Sequence, residues 1–258
     1  MAILITGSTD GLGRQVARQL AAGGAAVLVH GRSRERVDTV VLELGQGARG
    51  HVADLSSLAE VHRLAEEVPS VEVLVNNAGI FGTPGGRREL SRDGYELHFA
   101  VNYLAGFLLT ALLIRRSPPH RVVNVSSGAQ ERLDFEDLML ERGYSHMRAY
   151  SRSKLAQVMF TFELAERCGG TLRANCLHPA SLMDTKMVRR AFGRALTPVE
   201  EGAEAVLRVI ERDDLNGRYF EGLREARAHR QAYDAKARRR LWELSEELVG
   251  VRVEPCAG

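Results

Sequence analysis

Short apolar runs alternate along the chain with longer stretches whose apolar residues recur every three or four positions. AILIT (2–6) is apolar until it stops at Gly7, and Leu12 to Ala22 then follows a helical spacing. AAVLVH (25–30), VEVLVN (71–76), RVVNVS (121–126) and TLRANCL (171–177) repeat the first pattern, and GRYFEG (217–222) predicts a last strand. Helix-length segments separate the runs at 33–44, 57–68, 95–116, 148–167 and 199–212, and a final helix is predicted over 234–248. Strands that are apolar throughout have no wet face. They predict a parallel sheet covered on both sides by the intervening helices. No linker, low-complexity tract or repeat interrupts the pattern, so residues 1–258 read as one doubly wound α/β domain.

Composition narrows the picture only a little. The 258 residues are 45% apolar and 26% charged with a net charge of +2, which calls for neither nucleic acid nor an anionic membrane. The basic stretch at 224–240 is interrupted by Glu225 and Asp234 and reads as a mixed-charge surface helix. Cys168, Cys176 and Cys256 form no CxxC and no zinc-spaced cluster, so no metal is expected and the three are read as reduced thiols. The first strand starts at Ala2, which leaves no room for a signal peptide, and the apolar run Leu104–Ile114 is short for a bilayer. A cytoplasmic protein without a membrane anchor is the expectation.

Chemistry enters with TGSTDGLGR (6–14), which lies between the first strand and the first helix. Gly7, Gly11 and Gly13 follow Gly-x3-Gly-x-Gly, and with Ser8 and Leu12 they form the candidate cradle for a dinucleotide pyrophosphate. Glycines permit the tight turn and let the phosphates approach backbone N–H groups at a helix N-terminus. At the end of the second strand an acidic residue would bond the ribose 2′-hydroxyl of NAD. The chain instead has Gly31 and Arg32, and a planar guanidinium suits the 2′-phosphate of NADP. NADP(H) is therefore favoured over NAD(H).

The stretch RAYSRSKLAQVMF (148–160) places Tyr150 and Lys154 one helical turn apart on one face. A phenol is a poor acid near neutrality, and a neighbouring ammonium is expected to lower its pKa. Hydride transfer to a carbonyl builds an alkoxide that donors must protonate or stabilise. A strand-end hydroxyl in NVSS (124–127) and a phenol on the next helix can meet at the carboxyl edge of the sheet, where such sheets bind ligands.

TGSTDGLG, ADL (53–55), NNAG (76–79), VNY (101–103), NVSS and YSRSK (150–154) occur in that order over nearly the whole chain. The set resembles the short-chain dehydrogenase/reductase family with its Rossmann fold. FAVNYLAGFLLT, RVVNVSSGA and AYSRSKLAQVMFTFELA look most like its retinol-dehydrogenase-like group. The resemblance implies that Tyr150 is the general acid/base and that Lys154 lowers its pKa and holds the nicotinamide ribose. Ser127, rather than Ser126, would bond the substrate oxygen, and Asn102 would support a water relay to Lys154. Asp54 and Leu55 would contact adenine, and Asn76, Ala78 and Gly79 would border the adenosine ribose. Pro179, in the LHP motif, and Thr185 would lie by the nicotinamide. Ala180 stands where relatives commonly have glycine, which predicts a changed backbone path ahead of Thr185. The family often pairs copies through the helices that carry Asn102 and Tyr150, so a homodimer or homotetramer is expected.

Two segments should shape a substrate pocket: 128–148, and a lid near 180–198. They offer Phe135, Leu138, Met139, Tyr144, Met147, Met183, Met187 and Phe192, the adaptable apolar set of a pocket for a small apolar aldehyde, ketone or alcohol. The expected function is NADP(H)-dependent hydride transfer on such a molecule. NAD dependence and a non-catalytic dinucleotide sensor remain as alternatives. The intact Ser127, Asn102, Tyr150 and Lys154 argue against the sensor.

Overall fold

Each predicted apolar run forms a strand, and every helix-length segment between them forms a helix. The computed structural model describes residues 1–82 and 86–253. In chain order it contains β1 (Ala2–Ile5), α1 (Gly11–Ala22), β2 (Ala26–Gly31), α2 (Arg34–Leu44), β3 (Arg49–Val52), α3 (Leu58–Glu67) and β4 (Val73–Asn76). A π-helical segment, Phe99–Leu104, runs straight into α4 (Ala105–Arg116). Then follow β5 (Arg121–Val125), α5 (His146–Cys168), β6 (Arg173–His178), α6 (Lys186–Phe192), α7 (Val199–Glu211), β7 (Arg218–Glu221), β8 (Arg224–Glu225) and α8 (Ala235–Val249).

The strands form one sheet in the order β3-β2-β1-β4-β5-β6-β7-β8, parallel throughout except for β8. Alternate residues of one strand point to opposite faces. Ile3 and Ile5 join Val27, Val29, Val73, Val75, Val123 and Val125 in the core beneath α1 and α7. Leu4, Leu28, Leu74 and Val122 join the core beneath α3, α4 and α5. The order reverses between β1 and β4, and the crevice opens at the carboxyl ends there. The sequence pattern missed β3. Its RGHV is polar, it borders only β2, and only His51 is buried, so no apolar run marks it.

The structure corrects the cysteine expectation. The reading of all three cysteines as thiols fails at Cys168, which is disulfide-bonded; Cys176 is free and buried, and Cys256 lies outside the described residues. Phe99–Arg116, extended by the π segment, is long and apolar enough to cross a membrane, whereas Leu104–Ile114 alone was short; 72% of it is buried inside the domain. In the helix α5, Ser151 to Ala165 are buried without interruption. The chain's own α8 covers it: Trp242 packs on Phe160 and Phe107 with ring centroids 5.9 and 5.3 Å away. A ring of that size contributes about 3–5 kcal/mol when it is buried this fully.

Candidate active site

The glycine loop takes its shape from its neighbours. Gly7 and Gly11 have positive φ (66° and 50°), and at Gly7 a Cβ would come within 2.9 Å of the Ala78 backbone. A Cβ on Gly13 would lie 2.4 Å from both Gly7 O and Asn77 Nδ2. Asn77 Nδ2 donates to Thr6 O and Gly7 O (2.8 and 3.1 Å), and the Asn77 and Ala78 N–H groups donate to Thr6 Oγ1 (both 3.0 Å). Gly7 N–H donates to Nδ1 of buried His30 (3.1 Å), whose Nε2 bonds Ala53 O (3.2 Å). Burial pushes this imidazole down to about 4, so it stays neutral and fixes the loop to β2 and to the end of β3. Neither His30 nor Asn77 stood out in the sequence. Their roles depend on contacts 23 and about 70 residues away.

Ser8 braces the loop from inside. It is fully buried, its hydroxyl donates to Ile5 O (2.8 Å) and accepts from His30 N (2.9 Å), and its own N–H donates to His30 O (2.9 Å). Leu12 is also buried and packs toward Gly202 of α7. Asp10 caps α1 at Gly11 N (2.9 Å) and takes Arg36 (2.7 Å) and Lys186 (3.1 Å), which joins the loop to α2 and to the lid. Burial raises its carboxyl, but these donors outweigh that and hold it below the usual range. Arg32 is exposed at the end of β2 and has no side-chain partner among the described residues, whereas Arg34 pairs with Asp38 (3.9 Å).

The carboxyl ends of β4 and β5 bring in the second half of the site. Ser126 Oγ donates to Lys154 O (2.8 Å), so this hydroxyl is spent on tying β5 to α5. The Ser127 hydroxyl bonds Tyr150 and accepts from Ala129 N–H (3.1 Å). Lys154 Nζ lies 5.6 Å from the Tyr150 ring centroid and donates to Val125 O and Gln157 Oε1 (both 2.9 Å). Burial sets the net direction of both groups, and for the phenol that direction is upward. Burial raises Tyr150, with the Ser127 bond acting against it, and burial takes the Lys154 ammonium itself down to about 7. At neutral pH the phenol therefore holds its proton.

The Lys154 shift has a stability consequence with a definite sign. The unfolded chain keeps the ammonium charged up to about 10.5, the folded chain only up to about 7. The cost of burying the lysine is therefore complete below pH 7 and fades between about pH 7 and 10.5. Lys154→Met should be more stable than wild type by roughly 1–3 kcal/mol at pH 6, reduced by the partners it orphans. The gain should shrink by pH 10. Denaturant melts at both pH values check this, and a gain that does not depend on pH would contradict it.

NNAG bridges the two halves. At Gly79 a Cβ would lie 3.3 Å from Asn102 Oδ1 and 3.5 Å from Lys154 Nζ. Asn76 lines a small pocket with Thr6, Leu55, Ala78 and Asn102. It is buried and donates to Asn124 Oδ1 (2.9 Å) and Thr110 Oγ1 (3.2 Å). Asn102 commits its amide to Ile80 N and O (2.7 and 3.1 Å) and to Ser153 Oγ (2.9 Å). Asp54 shapes the turn after β3 through Ser56 N (3.0 Å), beside buried Leu55.

The lid holds Thr185 as the N-cap of α6, with its methyl facing Gly11. Ala180 introduces no left-handed residue. That conformation falls on Leu182, φ 48°. Pro179 packs toward Gly202. Phe192 of α6 stacks on Phe81 (5.3 Å), and Phe81 meets Tyr150 edge-on (4.9 Å, 76°) and His146 (5.6 Å). Phe81 was not singled out in the sequence. Phe135, Leu138 and Met139 pack partly buried against the core, as Met183 does on the other face, while Met147 and Met187 are exposed. An indentation of about 270 Å³ at the amino ends of β5 and β6, lined by His120, Arg121, Arg173 and Asp213, contains none of these groups.

The glycine cradle, the guanidinium beside it and the Ser127–Tyr150–Lys154 cluster fit a phosphate-bearing dinucleotide laid across the crevice. Comparison with known proteins agrees with the geometry. The family model for short chain dehydrogenase matches residues 1–194. Mouse retinol dehydrogenase 14 is 35% identical, covering 96% of this chain and 86% of its own. Human retinol dehydrogenase 12 is 34% identical, covering 98% and 87%. A crystal structure of a protein from Mycobacterium paratuberculosis superposes with a TM-score of 0.86 at 32% identity, over 98% of this chain and 94% of that one.

Proposed function

Because this chain belongs to the short-chain dehydrogenase/reductase family and to its retinol-dehydrogenase-like group, we propose that it is an oxidoreductase that works with NADP(H) on a carbonyl or alcohol of an apolar small molecule. The observation that carries this reading is the convergence of Ser127, Tyr150 and Lys154 beside the glycine cradle. When bound, the nicotinamide supplies or accepts the hydride. In the reductive direction, Ser127 Oγ donates to the substrate oxygen and Tyr150 Oη delivers the proton to it. The raised phenol suits an acid that must stay protonated until charge develops on that oxygen. Lys154, adjacent on the same helix face, stabilises the phenolate left behind. Phe81 and Phe192 exclude water on one side.

The NADP preference rests on Arg32, the exposed guanidinium at the end of β2 with no partner among the described residues. Arg32→Ala should weaken NADPH binding by about 10- to 100-fold, the worth of a charge-assisted pair, and leave NADH binding nearly unchanged. Titrations of cofactor fluorescence decide this. Equal losses for both cofactors, or tighter NADH binding by wild type, would reject the preference. The reaction class is tested by following NADPH absorbance with a panel of apolar aldehydes and ketones, with NADH in parallel. Turnover of any member supports the reading. No turnover of any member, by protein that binds NADPH, speaks against it.

A further inference from the structure

We propose that Glu96 and His98 form a buried positioning dyad that holds Phe81 against Tyr150. The role assigned to the pair rests on the reading of Tyr150 as the proton donor. Both side chains are sealed from solvent, at 1% and 0% exposure. Glu96 Oε1 meets His98 Nδ1 at 2.8 Å, and Oε2 accepts Phe99 N–H at 2.8 Å. On the far side of the ring, Gly82 N–H donates to His98 Nε2 at 3.2 Å. Since Nε2 accepts, the ring proton sits on Nδ1 and is donated to the carboxylate. Asn102 grips Ile80 through both its N–H and its carbonyl. The backbone is thus pinned immediately before and immediately after Phe81.

The pinned residue is the one that touches the proposed acid. The Phe81 ring meets Tyr150 edge-on, with His146 and Phe192 on its other sides. A buried carboxylate and imidazole are costly, and an apolar pair would fill the same space at less cost. The bond to Gly82 is what an apolar pair would lack. His98 is a positioning residue: through Gly82 it fixes how far the Phe81 ring covers the phenol.

The experiment needs no turnover, so it reports even if the protein reduces no carbonyl. The ionisation of Tyr150 is followed by phenolate absorbance, as the difference from the same variant carrying Tyr150→Phe. His98→Asn keeps a donor for Glu96 and removes the acceptor for Gly82. His98→Gln keeps the acceptor. Phe81→Ala removes the wall. His98→Asn and Phe81→Ala should each lower the Tyr150 midpoint by about one unit as water reaches the phenol. His98→Gln should stay at the wild-type value, and the His98→Asn/Phe81→Ala double variant should move no further than Phe81→Ala. Equal shifts in His98→Asn and His98→Gln, no shift in His98→Asn, or additive shifts in the double variant would overturn the dyad's role. If His98→Asn does not fold, Phe81→Ala is still decisive, because an unmoved Tyr150 in that variant removes the contact the dyad is meant to secure.

Discussion

Tyr150→Phe should lose about 10²- to 10⁴-fold in turnover, the range a positioned general acid contributes, and keep its affinity for cofactor and its stability. The ring is unchanged, so the edge contact to Phe81 survives. Only the hydroxyl leaves, and with it the bond to Ser127. Ser127 retains Ala129 N–H, so the serine stays in place while no phenolic proton is left to reach the substrate oxygen. Steady-state rates on any accepted substrate, paired with a cofactor titration, separate the two effects. Turnover equal to wild type would remove Tyr150 from the chemistry and leave the glycine cradle as a binding site alone.

Gly13→Ala should damage the other half of the site by a different route. Its Cβ would stand 2.4 Å from Gly7 O and from Asn77 Nδ2, and Gly7 O is backbone that cannot swing aside. The loop must move, and Asn77 must release Gly7 O or Thr6 O to let it. Overpacking of this kind costs about 1–3 kcal/mol or more, and the loss falls on the loop that would carry the pyrophosphate. Cofactor affinity should fall about 10- to 100-fold, since each factor of ten is about 1.4 kcal/mol. Gly24→Ala is the control. That glycine has φ 82° but open space around it, so backbone strain appears without any cofactor defect. Cofactor titrations and thermal melts on both variants make the comparison, and an intact NADPH affinity in Gly13→Ala would show that the loop does not bind the phosphates.

The parallel strands and their helices were readable because burial on both faces writes itself as uninterrupted apolar runs, as in AILIT and RVVNVS. The glycine cradle was readable for a related reason. Gly7 and Gly11 need positive φ and Gly13 allows no Cβ, demands that only one residue type meets. β3 escaped because an edge strand as short and polar as RGHV carries no such run.

Tyr150 and Lys154 sit on one helix, so four residues of spacing were enough to pair them. Spacing could not give the sign of their electrostatics. That depends on how deeply α5 is buried, and depth raised the phenol and lowered the ammonium where proximity alone predicted the reverse for Tyr150. The sequence by itself determined the sheet, the glycine loop and the pairing of Tyr150 with Lys154, since each follows from local pattern. Tertiary structure alone decided that Ser126 and Ser8 are braces, that Asn77 and His30 shape the loop, that Phe81 walls Tyr150, and that α8 covers α5. These outcomes turn on which distant groups claim each donor, acceptor and apolar face, and contacts made between distant parts of the chain leave no period in the sequence.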